Sequence, residues 1–162
     1  MLAALCALRN VAWGHPPVAT AAIVNITDDG QVIVTVYHDA LAFALNDTSA
    51  RIADREMYAL LDGPRANLEA AFADGLDRFR SGFHLTVNGV DVPFEVAEFP
   101  SIKGVVQWKS EHSGPALPCK MDFVVKAKLP DGAQTMSLRL PEILADTVVV
   151  VHRPGKIGRA HV

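Results

Sequence analysis

Apolar and polar residues alternate along most of this chain, and that period of two is the feature that most constrains its fold. The alternation is clearest on either side of Asn88-Gly89, and its apolar positions are Phe83, Leu85, Val87, Val90, Val92, Phe94 and Val96. Successive side chains of a β-strand point to opposite faces, and Asn-Gly suits the tight turn of a hairpin. The segment therefore predicts an antiparallel hairpin with one apolar face.

The same pattern recurs in other parts of the chain. An earlier hairpin is predicted around Asp28-Asp29-Gly30, with apolar positions Ala22, Val24, Ile26, Val32, Val34 and Val36. Further strands are predicted at about 105–111, 119–129, 134–140 and 147–152. The run 147–151 is apolar on both faces, which predicts a strand that is central or covered on both sides.

Between the two hairpins the spacing becomes helical, at about 54–61 and again at 64–80. Pro64 suits the first position of the second helix, and Asp62-Gly63 ends the first. The second helix places an apolar stripe on one side, formed by Leu68, Phe72, Leu76 and Phe79. The predicted fold class is thus mainly β (α+β), an antiparallel β-sandwich or half-barrel with a two-helix insertion.

The first residues have the character of a secretion signal. Residues 1–8 are apolar but end at Arg9, so the run is much shorter than the roughly 20 residues that span a bilayer. Ala12-Trp13-Gly14 places small residues where signal peptidase requires them. We expect residues 1–14 to be a signal peptide, which makes His15 the mature N-terminus and places the protein in the periplasm or at the cell surface.

The last seven residues, 156–162, have a different character. They can be encoded by AAG ATC GGA AGA GCA CAC GTC, which resembles a common sequencing adaptor read as codons. We interpret them as a non-native tail, so that the natural protein continues differently beyond Gly155. A single β-rich extracytoplasmic domain is then predicted over residues 15–155, a length that accommodates one hydrophobic core.

Charge and cysteine content exclude two classes of protein. The chain carries a formal net charge of −3, and the predicted domain is more acidic because Arg9, Lys156 and Arg159 lie outside it. Nucleic-acid binding requires clustered basic residues that replace phosphate counterions, so no nucleic-acid partner is expected. Removal of Cys6 with the signal leaves Cys119 alone, which rules out an intramolecular disulfide; its inward strand position predicts a buried, inert thiol.

Motifs of familiar enzymes are missing from the sequence. It contains no Gly-x-Ser-x-Gly elbow, no His-Glu-x-x-His helix and no glycine-rich phosphate loop. We therefore predict a non-enzymatic protein without catalytic or cofactor-binding residues.

Histidines provide the candidate metal ligands. His15 would combine a free α-amine with an imidazole, a chelate that copper or nickel favours. His38 shares the inward parity of its strand and is the predicted second ligand; the alternative is a hydrogen-bonded histidine at the margin of the core. His84 has outward parity and is expected in solvent, His112 lies near a loop, and His152 ends the last strand.

The Gly14-His15-Pro16 start and the strand pattern across residues 15–155 resemble the extracytoplasmic N-terminal domain of bacterial HupE/UreJ-type membrane proteins. In that family the domain precedes transmembrane helices, and some members are proposed nickel or cobalt permeases. The resemblance implies a periplasmic domain that serves a membrane protein, either a separate partner or its own missing membrane region. The hypotheses are an accessory or interaction module and, alternatively, a small copper- or nickel-binding protein.

Overall fold

A computed structural model of the chain describes residues 20–47, 54–112, 118–144 and 147–153, and the backbone of 156–159. The predicted signal at 1–14, the predicted ligand His15 and the end of the tail at 160–162 lie outside the described residues. The predictions for these segments therefore remain predictions.

The described residues form nine strands, four α-helices and one short 3-10 helix (Glu142–Leu144). The strands are β1 (Ala21–Ile26), β2 (Gln31–Asp39), β3 (His84–Val87), β4 (Val90–Asp91), β5 (Phe94–Glu98), β6 (Lys120–Lys128), β7 (Met136–Arg139), β8 (Val148–Arg153) and β9 (Lys156–Arg159). The helices are α1 (Ala40–Leu45), α2 (Asp54–Asp62), α3 (Arg65–Gly82) and α4 (Ile102–Glu111). A mixed α+β fold is confirmed, and no closed barrel occurs within the described part of the chain.

The larger sheet has the strand order β5-β6-β2-β1-β8, and β9 adds to the free edge of β8. The predicted β1–β2 hairpin is confirmed: its strands are antiparallel, and Gly30 has the positive φ of 76° that suits a turn glycine. However, β1 runs parallel to β8, with Ala22 opposite Val149. The prediction of an antiparallel arrangement is therefore wrong at this pair, where the chain returns from the other sheet instead of turning back in a hairpin.

The smaller sheet has the order β4-β3-β7. Its β3–β4 turn is the predicted one, with positive φ values at Asn88 and Gly89. The prediction of one continuous strand over 90–96 is wrong, because the segment forms two strands, β4 and β5, that belong to different sheets. Pro93 has no N–H to donate to a strand ladder, so pairing with β3 ends there and the chain crosses to become β5 beside β6.

The prediction of a strand at 105–111 is also wrong, since those residues belong to α4. Ser101 caps this helix by accepting a hydrogen bond from the Gly104 N–H at 3.1 Å. Val105 is fully buried whereas Val106 is half exposed, so the two neighbours face different sides as helical residues do. The predicted helices α2 and α3 are confirmed, with Pro64 at the N-cap position of α3 instead of its first turn.

The two sheets contribute to one hydrophobic core. Phe43 of α1 makes edge-to-face contacts with three other aromatic rings, those of Phe79, Phe99 and Phe123. Val24, Val34 and Val125 come to this core from the larger sheet, and Phe83 and Leu85 come from the region of β3. A second cluster lies between α1, α2, α3 and α4 and reaches the larger sheet at Met121 of β6. The opposite side of that sheet carries the remaining side chains of β1, β2 and β8.

Candidate functional site

His38 is the one predicted metal ligand that lies in the described residues, and it is buried at the inner end of β2, as its parity predicted. Thr20 precedes β1 and lies beside His38, because β1 and β2 pair in antiparallel register up to Ala21 and Tyr37. The Thr20 hydroxyl is 2.7 Å from His38 Nδ1. The imidazole also meets the edge of the Phe43 ring, at 6.3 Å between centroids.

Burial determines the protonation state of this imidazole. Removal from water, helped by the positive charge of Lys120, lowers the pKa of His38 to about 4. The ring is therefore neutral at pH 7. With the hydrogen on Nδ1, the Thr20 hydroxyl accepts it and Nε2 keeps a lone pair; this Nε2 is buried and has no hydrogen-bond partner among the described residues.

Two other groups near His38 have structural roles. Asp39 begins α1, where its carboxylate accepts hydrogen bonds from the N–H groups of Leu41 and Ala42 at 3.0 and 3.2 Å. Cys119 is completely buried, and burial together with the Asp39 charge raises the pKa of its thiol to about 12. The thiolate needed for metal binding or nucleophilic attack is thus disfavoured, in agreement with the prediction of an inert thiol.

The remaining described histidines lie apart from His38 along the fold. His152 is exposed at the end of β8, and His112 stacks on Trp108 with ring centroids 5.1 Å apart. The prediction that His84 is exposed to solvent is wrong, because its side chain is half buried and its Nε2 is enclosed. Within the described ranges, no group of three or more metal-binding side chains comes together.

An exposed apolar surface lies on the outer side of the larger sheet, and sequence reasoning did not identify it. We call it the outer patch, formed by Ala21, Ile23, Tyr37, Val148 and Val150. The register places Tyr37, Ala21 and Val148 side by side across three strands, and Ile23 beside Val150. Val148 is 62% exposed, Tyr37 44% and Ile23 41%.

A cation borders the outer patch. Lys120 Nζ lies 5.4 Å from the centroid of the Tyr37 ring, a cation–π distance. The sequence did carry a signal for this surface, since the run 147–151 is apolar on both faces of its strand. That pattern predicts a strand that is central or covered on both sides. The structure places β8 between β1 and β9, so the strand is not at an edge, but one of its faces is left uncovered at Val148.

Comparison with known proteins finds no matching family model, no matching curated relative and no matching solved structure. Among the helices that the structure describes, none is both long enough and apolar enough to cross a membrane.

Proposed function

We propose that this chain is an exported, non-enzymatic β-domain with a sandwich-like arrangement of its two sheets, and that it acts as an accessory or interaction module of an envelope membrane protein. The observation that carries the proposal is the outer patch. Contiguous apolar side chains that remain in water on one sheet face are typical of surfaces that a partner covers. Tyrosine and branched aliphatic residues provide the contact area, and Lys120 provides a polar rim.

The partner is either a separate membrane protein or the domain's own membrane region beyond Gly155. This part of the proposal rests on the signal-like N-terminus and on the resemblance to HupE/UreJ-type proteins. The sequence of the intact gene tests it directly. A reading frame that continues from Gly155 into transmembrane helices supports a tethered domain, and a stop codon soon after Gly155 contradicts it.

Photo-crosslinking in the envelope of the natural host tests the interaction. A photoreactive residue at position 148 samples the outer patch, and one at position 131, in the exposed β6–β7 turn, serves as the matched control. We expect a crosslinked membrane protein from position 148 only. Equal products from the two positions, or none from position 148, would contradict the proposal. Export is tested separately, by mass spectrometry of the N-terminus, which shows whether the chain is cleaved before His15.

A second candidate function, copper or nickel binding, is favoured by the state of His38. A metal-binding imidazole must be neutral and usually has its other nitrogen held by a hydrogen bond, as Thr20 holds Nδ1. The buried Nε2 is then the free donor atom. His15 is the proposed second ligand.

Titration of the mature domain with Cu²⁺ or Ni²⁺ separates this function from the first. Binding that weakens in both His15→Ala and His38→Ala, and stays unchanged in His152→Ala, supports a two-histidine site. Binding that is unaffected by His15→Ala contradicts it.

A further inference from the structure

A cleft of about 470 Å³ opens where the chain crosses from the smaller sheet to the larger one. Its two sides are residues 80–85, at the end of α3 and the start of β3, and residues 91–94, which link β4 to β5. The Val92 N–H still donates to the Leu85 carbonyl at 2.8 Å. Pro93 comes next and has no N–H to donate, so the hydrogen bonding between the two segments ends there. The segments separate beyond this point, and the cleft lies between them.

The floor of the cleft is aromatic. Phe83 and Phe94 lie on opposite sides, with ring centroids 4.7 Å apart and planes inclined by 59°. Phe83 and Leu85 are buried, and Phe94 is partly exposed. A flat apolar group in the cleft would therefore meet the exposed part of the Phe94 ring, which is held in place by its contact with Phe83. A contact between two aromatic rings adds a directional term to the burial of apolar area.

The rim is polar, and its positive side lies near the end of α3. Arg80 is more than half exposed, and its Nη1 lies 3.8 Å from Asp77 Oδ1, which is too long for a hydrogen bond. His84 Nε2 is enclosed and has no hydrogen-bond partner among the described residues. Asp91 provides the negative charge of the other side.

We propose that this cleft binds a small aromatic monocarboxylate. Its ring lies against the partly exposed side chains of Phe94 and Val92, and its carboxylate accepts hydrogen bonds from the guanidinium of Arg80. Pockets for small ligands commonly enclose about 300–1,000 Å³ and combine an apolar lining with a few polar groups, as this cleft does. Asp91 disfavours a second negative charge. The cleft shares no residue with the outer patch, so this site is independent of the proposed partner surface.

The test is a titration of the full chain, ¹⁵N-labelled, with 3-phenylpropionate and with its uncharged analogue 3-phenylpropionamide, followed by amide chemical shifts. We expect saturable shifts that centre on residues 83–85 and 92–94, with the carboxylate binding more tightly than the amide. Loss of a charge-assisted hydrogen bond in Arg80→Gln should weaken carboxylate binding about tenfold and leave amide binding unchanged. Arg65→Gln is the matched control, because Arg65 is an exposed arginine at the other end of α3.

A second variant keeps the test independent of Arg80. Asp91→Asn removes the negative side of the rim and should strengthen carboxylate binding. The proposal is overturned by the absence of saturable shifts at millimolar ligand, by equal affinity for acid and amide, or by shifts centred elsewhere on the molecule. Tighter binding of 2-phenylethylamine than of 3-phenylpropionate would also overturn it, because Asp91 would then be the dominant charge.

Discussion

The buried imidazole of His38 should make the stability of this protein fall steeply in mild acid. In the folded protein its pKa is lowered from 6.5 to about 4, chiefly by burial. Above pH 6.5 the ring is neutral in both the folded and the unfolded chain, and it contributes no pH dependence. Between pH 6.5 and 4 the unfolded chain binds a proton that the folded protein excludes, so the unfolded state gains stability as the pH falls.

The size of the effect follows from the difference between the two pKa values. Each pH unit in that window removes about 1.4 kcal/mol from the free energy of unfolding. Over the whole interval, His38 alone removes about 3 kcal/mol, a large part of the roughly 5–15 kcal/mol that stabilises an ordinary domain. The loss is complete once the pH has fallen through the folded pKa, since both states then bind the proton.

Denaturant unfolding at pH 7, 6, 5 and 4, followed by circular dichroism, measures this loss. Carboxyl groups also titrate in that range, so the informative quantity is the difference between the wild-type protein and His38→Asn. The asparagine does not titrate, and its amide can remain near the Thr20 hydroxyl. We expect the wild-type free energy of unfolding to decrease by about 3 kcal/mol more than that of the variant between pH 7 and 4.

Lys120 allows burial to be separated from charge. Its positive charge is the smaller of the two causes that lower the pKa of His38, so Lys120→Met should leave most of the pH dependence in place. The reasoning is refuted if the free energy of unfolding depends on pH in the same way for the wild-type protein and for His38→Asn. An NMR titration of the His38 ring with a midpoint near 6.5 would refute it as well.

Three substitutions and one chemical modification test the packing. Arg78→Met should cost about 1–3 kcal/mol in thermal or denaturant unfolding, because Arg78 Nη2 donates at 2.9 Å to each of two carbonyl groups near the end of α1. Gly82→Ala should lower the free energy of unfolding by about 1–3 kcal/mol, since a Cβ there would lie 2.9 Å from the Cα of Pro141. Gly75→Ala is its control, because a Cβ at position 75 meets only ordinary contacts. In the same assay it should be neutral or stabilising by up to about 1 kcal/mol. Iodoacetamide should modify Cys119 slowly in the folded protein and rapidly after unfolding, as measured by mass spectrometry in a Cys6→Ala background; equal rates would contradict the burial of the thiol.

Local patterns predicted the elements whose neighbours lie close in sequence. The β1–β2 hairpin and the Asn88-Gly89 turn contain their own turn residues. Helices α2 and α3 are separated by Gly63 and Pro64, which the sequence shows directly. Asn88 also extends the local signal, since its side-chain carbonyl accepts from the N–H groups of Gln134 and Thr135 and fixes the turn beside β7.

The failures occurred where distant contacts decide the outcome. Val105-Val106 has the composition of a strand, but the Ser101 cap and the burial of Val105 against the other helices make it part of α4. Exposed and partly buried residues alternate from 91 to 96 across Pro93, yet Val90 is 67% exposed and the two halves of the segment belong to different sheets. Parity placed His38 inward but could not show that Thr20 holds its Nδ1, because that contact depends on the strand register.

The position of β1 between β2 and β8 also determines when this protein can fold. The hairpin of β1 and β2 forms from adjacent sequence, but its two neighbours in the sheet, β6 and β8, belong to the last part of the described chain. A chain that emerges N-terminus first therefore holds an apolar two-stranded ribbon with both edges unpaired until β6 and β8 are available. Such long-range pairing slows folding and exposes strand edges to aggregation. For this protein, chaperone protection is expected to matter most before residues 120–153 have emerged.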